Sequence, residues 1–214
     1  VGVKMKLWKY KNYQEYLDTQ IEFTNQKIAG KPSWVNPVDI QGIVKYIFDY
    51  NPEVKFGLCH GTRRGIEQLE FIQTFSMLGR DVKVVGTEIN PDVAKKYENT
   101  IEWDFSKAKD EWINNVDFIF TNSFDHSFNP EKTLDVWMSC LNKNGLCVIE
   151  WTTSDVTSRA GDPFGATYEE YGKLFEKKYD VVDILKGDRR DESVFARGNN
   201  TDLKRHYFMI RNKK

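Results

Sequence analysis

Residues 55–65 read KFGLCHGTRRG, and this stretch decides the fold because a short apolar run passes directly into a glycine-containing turn. We place the first strand of the domain at Phe56–Leu58. Apolar residues then recur at three- and four-residue spacing from Ile66 to Leu78, which predicts a helix that ends at Gly79. A second apolar run at Val82–Gly86 predicts the next strand. A strand, a crossover helix and a parallel strand form one βαβ unit.

The same alternation continues toward the carboxyl terminus. Asn129-Pro130 is a helix-start signal, and we expect that helix to stop at Asn144-Gly145. The polar stretch from Lys186 to Arg205 has no helical periodicity, so the last two strands should form an antiparallel hairpin. The sequence therefore predicts an α/β, Rossmann-like fold with a seven-stranded, mostly parallel sheet. The remaining predicted strands are Thr100–Trp103, Val116–Thr121, Leu146–Trp151, Val181–Leu185 and Tyr207–Ile210.

Two amphipathic segments precede the alternating pattern. One contains Tyr13 and Ile21 and the other Ile40 and Phe48, each with apolar residues at helical spacing. Gly30-Lys31-Pro32 separates them, and Asn36-Pro37 supplies an N-cap followed by a first-turn proline. We interpret residues 1–54 as an N-terminal helical cap and residues 55–214 as the Rossmann-like domain.

Composition excludes several classes of protein. The 214 residues contain 31 Lys and Arg against 32 Asp and Glu, so the net charge of -1 provides no field to hold a nucleic acid. Cys59, Cys140 and Cys147 are odd in number and contain no CxxC pair, which argues against a disulfide framework or a structural zinc site. No apolar run is long enough to span a membrane, and we expect a cytoplasmic protein.

In an open α/β sheet, ligands bind beyond the carboxyl ends of the strands, so the loops there are the candidate site. Glycines in the first loop let backbone amides approach a ligand, and the following helix start favours an anionic group, although such glycines also occur in plain turns. The second strand leads into Glu88, whose carboxylate is suited to accept two ribose hydroxyls. Trp103, Asp104 and Phe105 offer two aromatic faces and one acceptor, which suits an adenine.

A polar cluster follows the fourth strand at residues 121–127. By their loop position, His126 and Asp125 are the candidate general bases, and a histidine that merely caps the next helix is the alternative. Asn122 and Asp125 offer only two oxygen ligands, so no metal site is predicted. The long stretch from Thr152 to Ala166 exceeds an ordinary connection and is predicted to form part of an acceptor pocket as a mobile lid, with Arg159 directed to an acidic acceptor and Phe164 packing the lid down. A disordered surface excursion is the alternative.

This layout resembles the class I S-adenosylmethionine-dependent methyltransferases from about Lys55 to Arg211. The motifs CHGTRRG (59–65), GTEI (86–89), WDF (103–105) and NSFDHS (122–127) are similar to one bacterial group of that class. The resemblance implies an enzyme that binds S-adenosyl-L-methionine and transfers its methyl group to an oxygen or nitrogen acceptor. A small molecule or a glycan-related metabolite is the acceptor that it suggests.

The resemblance also implies positions for the cofactor. Residues 59–65 would hold the methionine part, Glu88 the ribose and Asp104 the adenine, with Asn122 near the sulfonium methyl. The candidate cofactor residues are therefore Cys59, His60, Gly61, Thr62, Arg63, Glu88, Ile89, Trp103, Asp104, Phe105, Asn122 and Ser123. The family pattern has an acid just before the loop and more glycines within it, and this chain departs from it with Gly57, Cys59 and Arg63 at those places. Arg63 or Arg64 would then pair with the cofactor carboxylate.

Two other classes of function remain open on the sequence. A nicotinamide-dependent oxidoreductase shares the glycine loop and the ribose-binding acid, but this chain lacks GxGxxG and a second βαβαβ half. A cofactor-binding protein of the same fold without activity is the third hypothesis.

Overall fold

A computed structural model describes residues 5–28, 34–187 and 204–213. Within these ranges the helices are α1 Tyr13–Ile28, α2 Pro37–Tyr50, α3 Ile66–Met77, α4 Pro91–Ala94, α5 Pro130–Cys140 and α6 Tyr168–Glu176. The strands are β1 Lys6–Leu7, β2 Phe56–His60, β3 Lys83–Glu88, β4 Thr100–Glu102, β5 Val116–Thr121, β6 Leu141–Thr152, β7 Phe164–Gly165, β8 Tyr179–Lys186 and β9 Arg205–Asn212. The Gly30-Lys31-Pro32 separator and most of the stretch between β8 and β9 lie outside the described residues.

The main sheet has seven strands in the order β4-β3-β2-β5-β6-β9-β8. Strands β4, β3, β2, β5 and β6 pair in parallel, whereas β9 runs antiparallel to both β6 and β8. The predicted α/β fold with its antiparallel carboxyl-terminal hairpin is confirmed. Strand order reverses between β2 and β5, which is where an open α/β sheet binds its ligands.

Strand β2 is longer than its sequence pattern predicts. We ended it at Leu58, but Cys59 pairs with Gly86 and Phe120, and His60 pairs with Thr87 and Thr121. Parallel neighbours on both sides supply hydrogen-bond partners for two more residues, and this non-local pairing extends the strand. The loop therefore begins at Gly61.

The predicted helix starts are confirmed, and one predicted helix end is wrong. The side chains of Asn36 and Asn129 cap α2 and α5 ahead of a proline, and Thr167 forms a capping box with Glu170. The predicted stop of α5 at Asn144-Gly145 is wrong, since α5 ends at Cys140 and the next residue already belongs to β6. Pairing of Leu141 with Val116 across a bulge draws these residues into the sheet.

Two apolar layers cover the faces of the sheet. One contains Trp137 of α5 and Tyr171 of α6, and the other contains Ile43 of α2 and Phe71 of α3. Helix α2 thus shares a core with the sheet. Helix α1 instead lies across the carboxyl ends of the strands, and β1 ahead of it pairs with β7.

Candidate functional site

A cavity lies between α1 and the carboxyl ends of β2, β3 and β5, as the topology predicts. Its volume is about 40 Å³, whereas pockets for small ligands generally measure about 300–1,000 Å³. Helix α1 closes it from above, so a nucleoside-sized ligand requires this helix to move. The lining residues are Tyr16, Gln20, Phe23, Thr24, Lys27, Gly61, Arg63, Glu88, Ile89, Asp104, Phe105, Ser123 and His126.

The turn after β2 forms the floor of the cavity. Gly61, Arg63 and Gly65 have φ of 73°, 45° and 69°, so the backbone alternates through the left-handed region. A Cβ on Gly61 would lie 2.6 Å from the Cβ of Ser123, and only glycine permits this close approach. The amides of Gly61 and Thr62 both donate to the carbonyl of Thr87, which fixes the turn against the end of β3.

The two arginines of this turn have different surroundings. Arg64 donates from Nη2 to the carbonyl of Ile28 at 3.0 Å. Arg63 lines the cavity, and its guanidinium has no hydrogen-bond or ion-pair partner within residues 5–28, 34–187 and 204–213. Burial lowers the pKa of Arg63, while Glu67 and Glu88 oppose that shift. A half-buried cation without a partner is a binding group for an anion.

Glu88 ends β3 and is 4% exposed. Its Oε2 accepts from the amide of Arg63 at 3.0 Å, and its Oε1 accepts from the amide of Asn90 at 2.9 Å and from Thr24 Oγ1 at 3.4 Å. Burial raises the pKa of this carboxyl against the lowering effect of the amides. Two backbone donors fix the side chain in the cavity wall beside Ile89.

Asp104 faces the cavity from the segment after β4. Its Oδ2 accepts from the Tyr13 hydroxyl of α1, and its Oδ1 accepts from the amide and hydroxyl of Ser106. Burial opposes ionisation, but these hydrogen bonds outweigh it and lower the pKa of Asp104. Phe105 also lines the cavity, whereas Trp103 donates to the carbonyl of Lys107 and is not part of the lining.

Three residues of the predicted cofactor loop have side chains in the protein interior. Cys59 is 0% exposed in the core between the sheet and α3, and burial raises the pKa of its thiol well above the usual value. His60 is 2% exposed, stacks on Trp137 and bonds through Nδ1 to Thr87 Oγ1. Thr62 is also buried, and its hydroxyl has no partner in the described ranges. The side chains at these three positions are therefore not available to a ligand.

At the end of β5, Ser123 reaches the cavity and Asn122 does not. Asn122 Nδ2 donates to Glu67 Oε1 at 3.2 Å, at the start of α3. Burial raises the pKa of Glu67 to about 7. The sequence reading missed Glu67; an acid in the first turn of a helix that follows a strand was the available signal.

His126 lies at the centre of a polar cluster beside the cavity. Its Nδ1 is 2.9 Å from Gln20 Oε1, and its Nε2 is 3.5 Å from Asp162 Oδ1 and 3.9 Å from Asp125 Oδ1. Lys27 Nζ approaches the same Asp162 oxygen at 3.5 Å, and Arg159 pairs with the other one. Asp125, His126 and Asp162 offer ligand atoms within 4.8 Å of one another, so their geometry would also permit a metal ion.

Burial sets the protonation of this cluster. It lowers the pKa of His126 to about 3, with help from the charge of Lys27. It raises the pKa of Asp125 well above the usual value, together with the charges of Asp155 and Asp162. At Asp162 burial would raise the pKa, but His126, Lys27 and Arg159 outweigh it and lower the pKa. At neutral pH the cluster therefore holds a neutral imidazole next to the Asp162 carboxylate.

The sequence analysis expected the amino-terminal helices to form a cap but named none of the side chains that α1 contributes to the site. Gln20, Thr24 and Lys27 form a polar stripe at four- and three-residue spacing, and this stripe faces His126, Glu88 and Asp162. Such a stripe on a predicted helix was a usable signal. Asp162, in the segment predicted as an acceptor wall, was also missed; Arg159 there pairs with Asp162, and Phe164 is buried as expected.

A wider depression of about 610 Å³ opens at the opposite edge of the sheet, near Asn51, Asp117 and Asn142. Asp117 already accepts hydrogen bonds from both asparagines and from the amides of Lys55 and Phe56. The polar groups of this depression serve the local structure, and the depression lies at the amino ends of the parallel strands. The cavity under α1 is the better candidate site.

Comparison with solved structures identifies the fold. 1,6-Didemethyltoxoflavin-N1-methyltransferase of Burkholderia thailandensis, solved with 1,6-didemethyltoxoflavin and S-adenosylhomocysteine, superimposes with a TM-score of 0.69 at 15% identity over 97% of this chain and 93% of that one. The chain has the Rossmann-like methyltransferase fold. The plantazolicin methyltransferase BpumL, in complex with S-adenosylhomocysteine, gives a TM-score of 0.59 at 15% identity over 94% and 96% of the two chains. No protein-family model and no curated protein matches the sequence.

The fold alone does not assign a reaction. The [4+2]-cyclase SpnF superimposes with a TM-score of 0.62 at 9% identity, over 93% of this chain and 95% of that one. Function must therefore be argued from the cavity. Within the described ranges, no helix combines the length and the apolarity that crossing a membrane requires.

Proposed function

We propose that the chain is an S-adenosylmethionine-dependent methyltransferase acting on an oxygen or nitrogen of a small molecule. The observation that carries the proposal is the set of groups in one cavity: a guanidinium that is unpaired among the described residues, two fixed carboxylates and an aromatic wall. Each matches one part of the cofactor. A carboxylate pairs with Arg63, a ribose diol donates to Glu88, and an adenine amine donates to Asp104 beside Phe105.

The turn at residues 61–65 supports the same assignment. At Gly61 the left-handed backbone and the close contact with Ser123 leave backbone atoms at the floor of the cavity. Cys59 and His60, predicted as cofactor-binding positions, are assigned instead to holding the turn against β3 and β5, while Asn122 accepts a hydrogen bond from Ser123 and Trp103 precedes Asp104.

When bound, S-adenosylmethionine supplies a methyl group on a sulfonium, which is a good leaving group. The protein therefore has to align the acceptor with the methyl, exclude water and take up a proton from the acceptor. His126 lines the cavity and has an unprotonated nitrogen at pH 7, so we assign it as the general base, with Asp125 beside it. Its pKa of about 3 makes it a weak base, which takes up the proton as the acceptor bonds to the methyl and becomes more acidic. Helix α1 excludes water from above, whereas α2, which we also placed in the cap, packs in the core against the sheet.

Titration calorimetry with S-adenosylmethionine, S-adenosylhomocysteine and NAD tests the proposal. We expect both sulfur compounds to bind and NAD not to bind. Glu88→Ala should lower the affinity for S-adenosylhomocysteine by roughly 10- to 100-fold, because a hydrogen bond to a charged group contributes about 1.5–3 kcal/mol. Glu102→Ala, on the exposed face of β4, is the matched control and should leave affinity unchanged. Binding of NAD alone would make the chain a nicotinamide-dependent protein.

Transfer itself is tested by mass spectrometry. Incubation of the protein and S-adenosylmethionine with a panel of small hydroxyl- and amine-bearing compounds should release S-adenosylhomocysteine with at least one of them. Cofactor binding without release for any member of a broad panel would favour a binding protein of the same fold.

A further inference from the structure

Gln20 of α1 makes the contact that fixes the orientation of His126. Gln20 is buried, its Nε2 donates to the carbonyl of Gly161 at 3.2 Å, and its Oε1 is 2.9 Å from His126 Nδ1. A carbonyl oxygen can only accept, so the nitrogen end of the amide must face Gly161. The oxygen end then faces the imidazole, and Nδ1 has to carry the proton.

This arrangement leaves Nε2 as the basic nitrogen. In a neutral imidazole only one nitrogen carries hydrogen, and the other presents a lone pair. Nε2 points toward Asp162 Oδ1 at 3.5 Å, so a proton taken up there would lie beside a carboxylate. Arg159 holds the second oxygen of Asp162, and this pairing fixes the carboxylate in place.

The loop that carries Gly161 and Asp162 is built to meet α1. A Cβ on Gly161 would fall 2.0 Å from the Phe23 ring, so only glycine lets the loop pass under this helix. Tyr10, ahead of α1, donates to the carbonyl of Ala160. The contact between Gln20 and His126 is therefore part of a packed interface and not a chance approach of two surface groups.

We propose that Gln20 and Asp162 are positioning residues for the general base. Gln20 holds His126 with Nδ1 protonated and Nε2 free, and Asp162 stabilises the imidazolium that forms when Nε2 accepts a proton. The assignment rests on the proposed function. As the acceptor atom forms its bond to the methyl carbon, its proton passes to Nε2, and the electron pair of the broken C–S bond stays on sulfur.

Other charged groups face the imidazole from each neighbouring segment. Lys27 of α1 and Arg63 of the glycine turn disfavour the imidazolium, while Asp162 favours it. Asp125 adjoins His126 in the chain, and burial raises its pKa well above the usual value, which disfavours its charged form. Asp162 is thus the carboxylate whose charge favours proton uptake at Nε2.

Nitrogen-15 spectra of the imidazole rings in the full chain test the assignment without any acceptor. We expect His126 to show a protonated Nδ1 and an unprotonated Nε2 from pH 8 down to pH 5. Gln20→Ala should give a mixture of the two forms, whereas Gln26→Ala, exposed on the same helix, should leave the spectrum unchanged. A wild-type spectrum with hydrogen on Nε2, or an unaltered spectrum in Gln20→Ala, would overturn the role of Gln20.

The conservative variant Gln20→Glu provides a second readout that a purely structural role would not give. A carboxylate against Nδ1 should preserve the tautomer and raise the titration midpoint of His126 by at least about one pH unit. Adding Asp162→Asn should lower that midpoint again, and a midpoint that stays in place would remove Asp162 from the proposal.

A metal ion is the competing explanation for the cluster. Stoichiometric binding of Zn²⁺ that shifts Nε2 and is lost in Asp162→Asn would overturn the proposal in favour of a metal site. Binding of S-adenosylhomocysteine is measured on the same samples. Absence of S-adenosylhomocysteine binding would reject the proposed function even where the imidazole spectra follow expectation. Failure of the proposed function is therefore distinguishable from failure of the roles of Gln20 and Asp162.

Discussion

Arg63 commits its backbone amide to Glu88, while its guanidinium remains unpaired within the described ranges. In the proposed complex it pairs with the cofactor carboxylate. We expect Arg63→Ala to lower the affinity for S-adenosylhomocysteine by roughly 10- to 100-fold, which corresponds to about 1.5–3 kcal/mol for a charge-assisted hydrogen bond. Affinity for 5′-methylthioadenosine, which lacks the carboxylate, should not change, and calorimetry with both compounds measures the difference.

Arg64→Ala is the control for that measurement, since Arg64 donates to the carbonyl of Ile28 and does not line the cavity. An equal loss for both ligands in Arg63→Ala would contradict the pairing. Such a result would point to a general effect of the substitution on the turn at residues 61–65.

Helix α1 competes with the proposed cofactor for its binding groups. The Tyr13 hydroxyl donates to Asp104 and the Thr24 hydroxyl to Glu88, so α1 supplies donors where a nucleoside would supply its own. Because the cavity measures about 40 Å³ with α1 in this position, we expect the cofactor to bind a form with α1 displaced, and apparent affinity then scales with the population of that form. Displacing α1 therefore costs free energy that reduces the affinity for the cofactor.

From this we expect Tyr13→Phe to bind S-adenosylhomocysteine more tightly, up to roughly tenfold, because the closed form loses one hydrogen bond to a carboxylate while the ring is kept. Stopped-flow measurement should show the gain in the association rate. Gln26→Ala, on the exposed side of α1, should match the wild type. If Tyr13→Phe associates at the wild-type rate, α1 does not limit access.

At the scale of the whole molecule, buried neutral histidines make folding stability depend on pH. Burial lowers the pKa of His60 to about 3, below the value near 6.5 of an unfolded chain. Its stabilising contribution is thus complete above pH 6.5 and is lost as the pH falls toward 3. Glu67, with its pKa raised to about 7, has the opposite sign: its contribution is present below about pH 4.5 and is lost as the pH rises through 7.

Since these effects oppose each other, the wild type must be compared with a variant at each pH. We expect the stability lost in His60→Gln, relative to the wild type, to shrink by about 2 kcal/mol between pH 7 and pH 5. Urea unfolding at the two pH values measures it. His206→Gln, at a partly exposed histidine, should show a smaller change. Equal differences at both pH values for His60→Gln would mean that His60 is not held neutral by the fold.

The sequence by itself determined the order of helices and strands and the starts of the capped helices. Helix starts at Asn36 and Asn129 follow from hydrogen bonds to amides two or three residues away, and these form wherever the helix forms. Glu88 and Asp104 could be named in advance for a similar reason, because parallel strands bring their carboxyl ends to one edge of the sheet.

Only the tertiary structure decided which side chains meet in the cavity. Pairing on both sides extended β2 through Cys59 and His60 and turned their side chains into the core. Gln20 meets His126 across 106 positions of sequence, and Lys27 meets Asp162 across 135. Such contacts depend on how α1 and the loop before β7 pack over the sheet. Periodicity and capping report hydrogen bonds within one segment and contain no information about that packing.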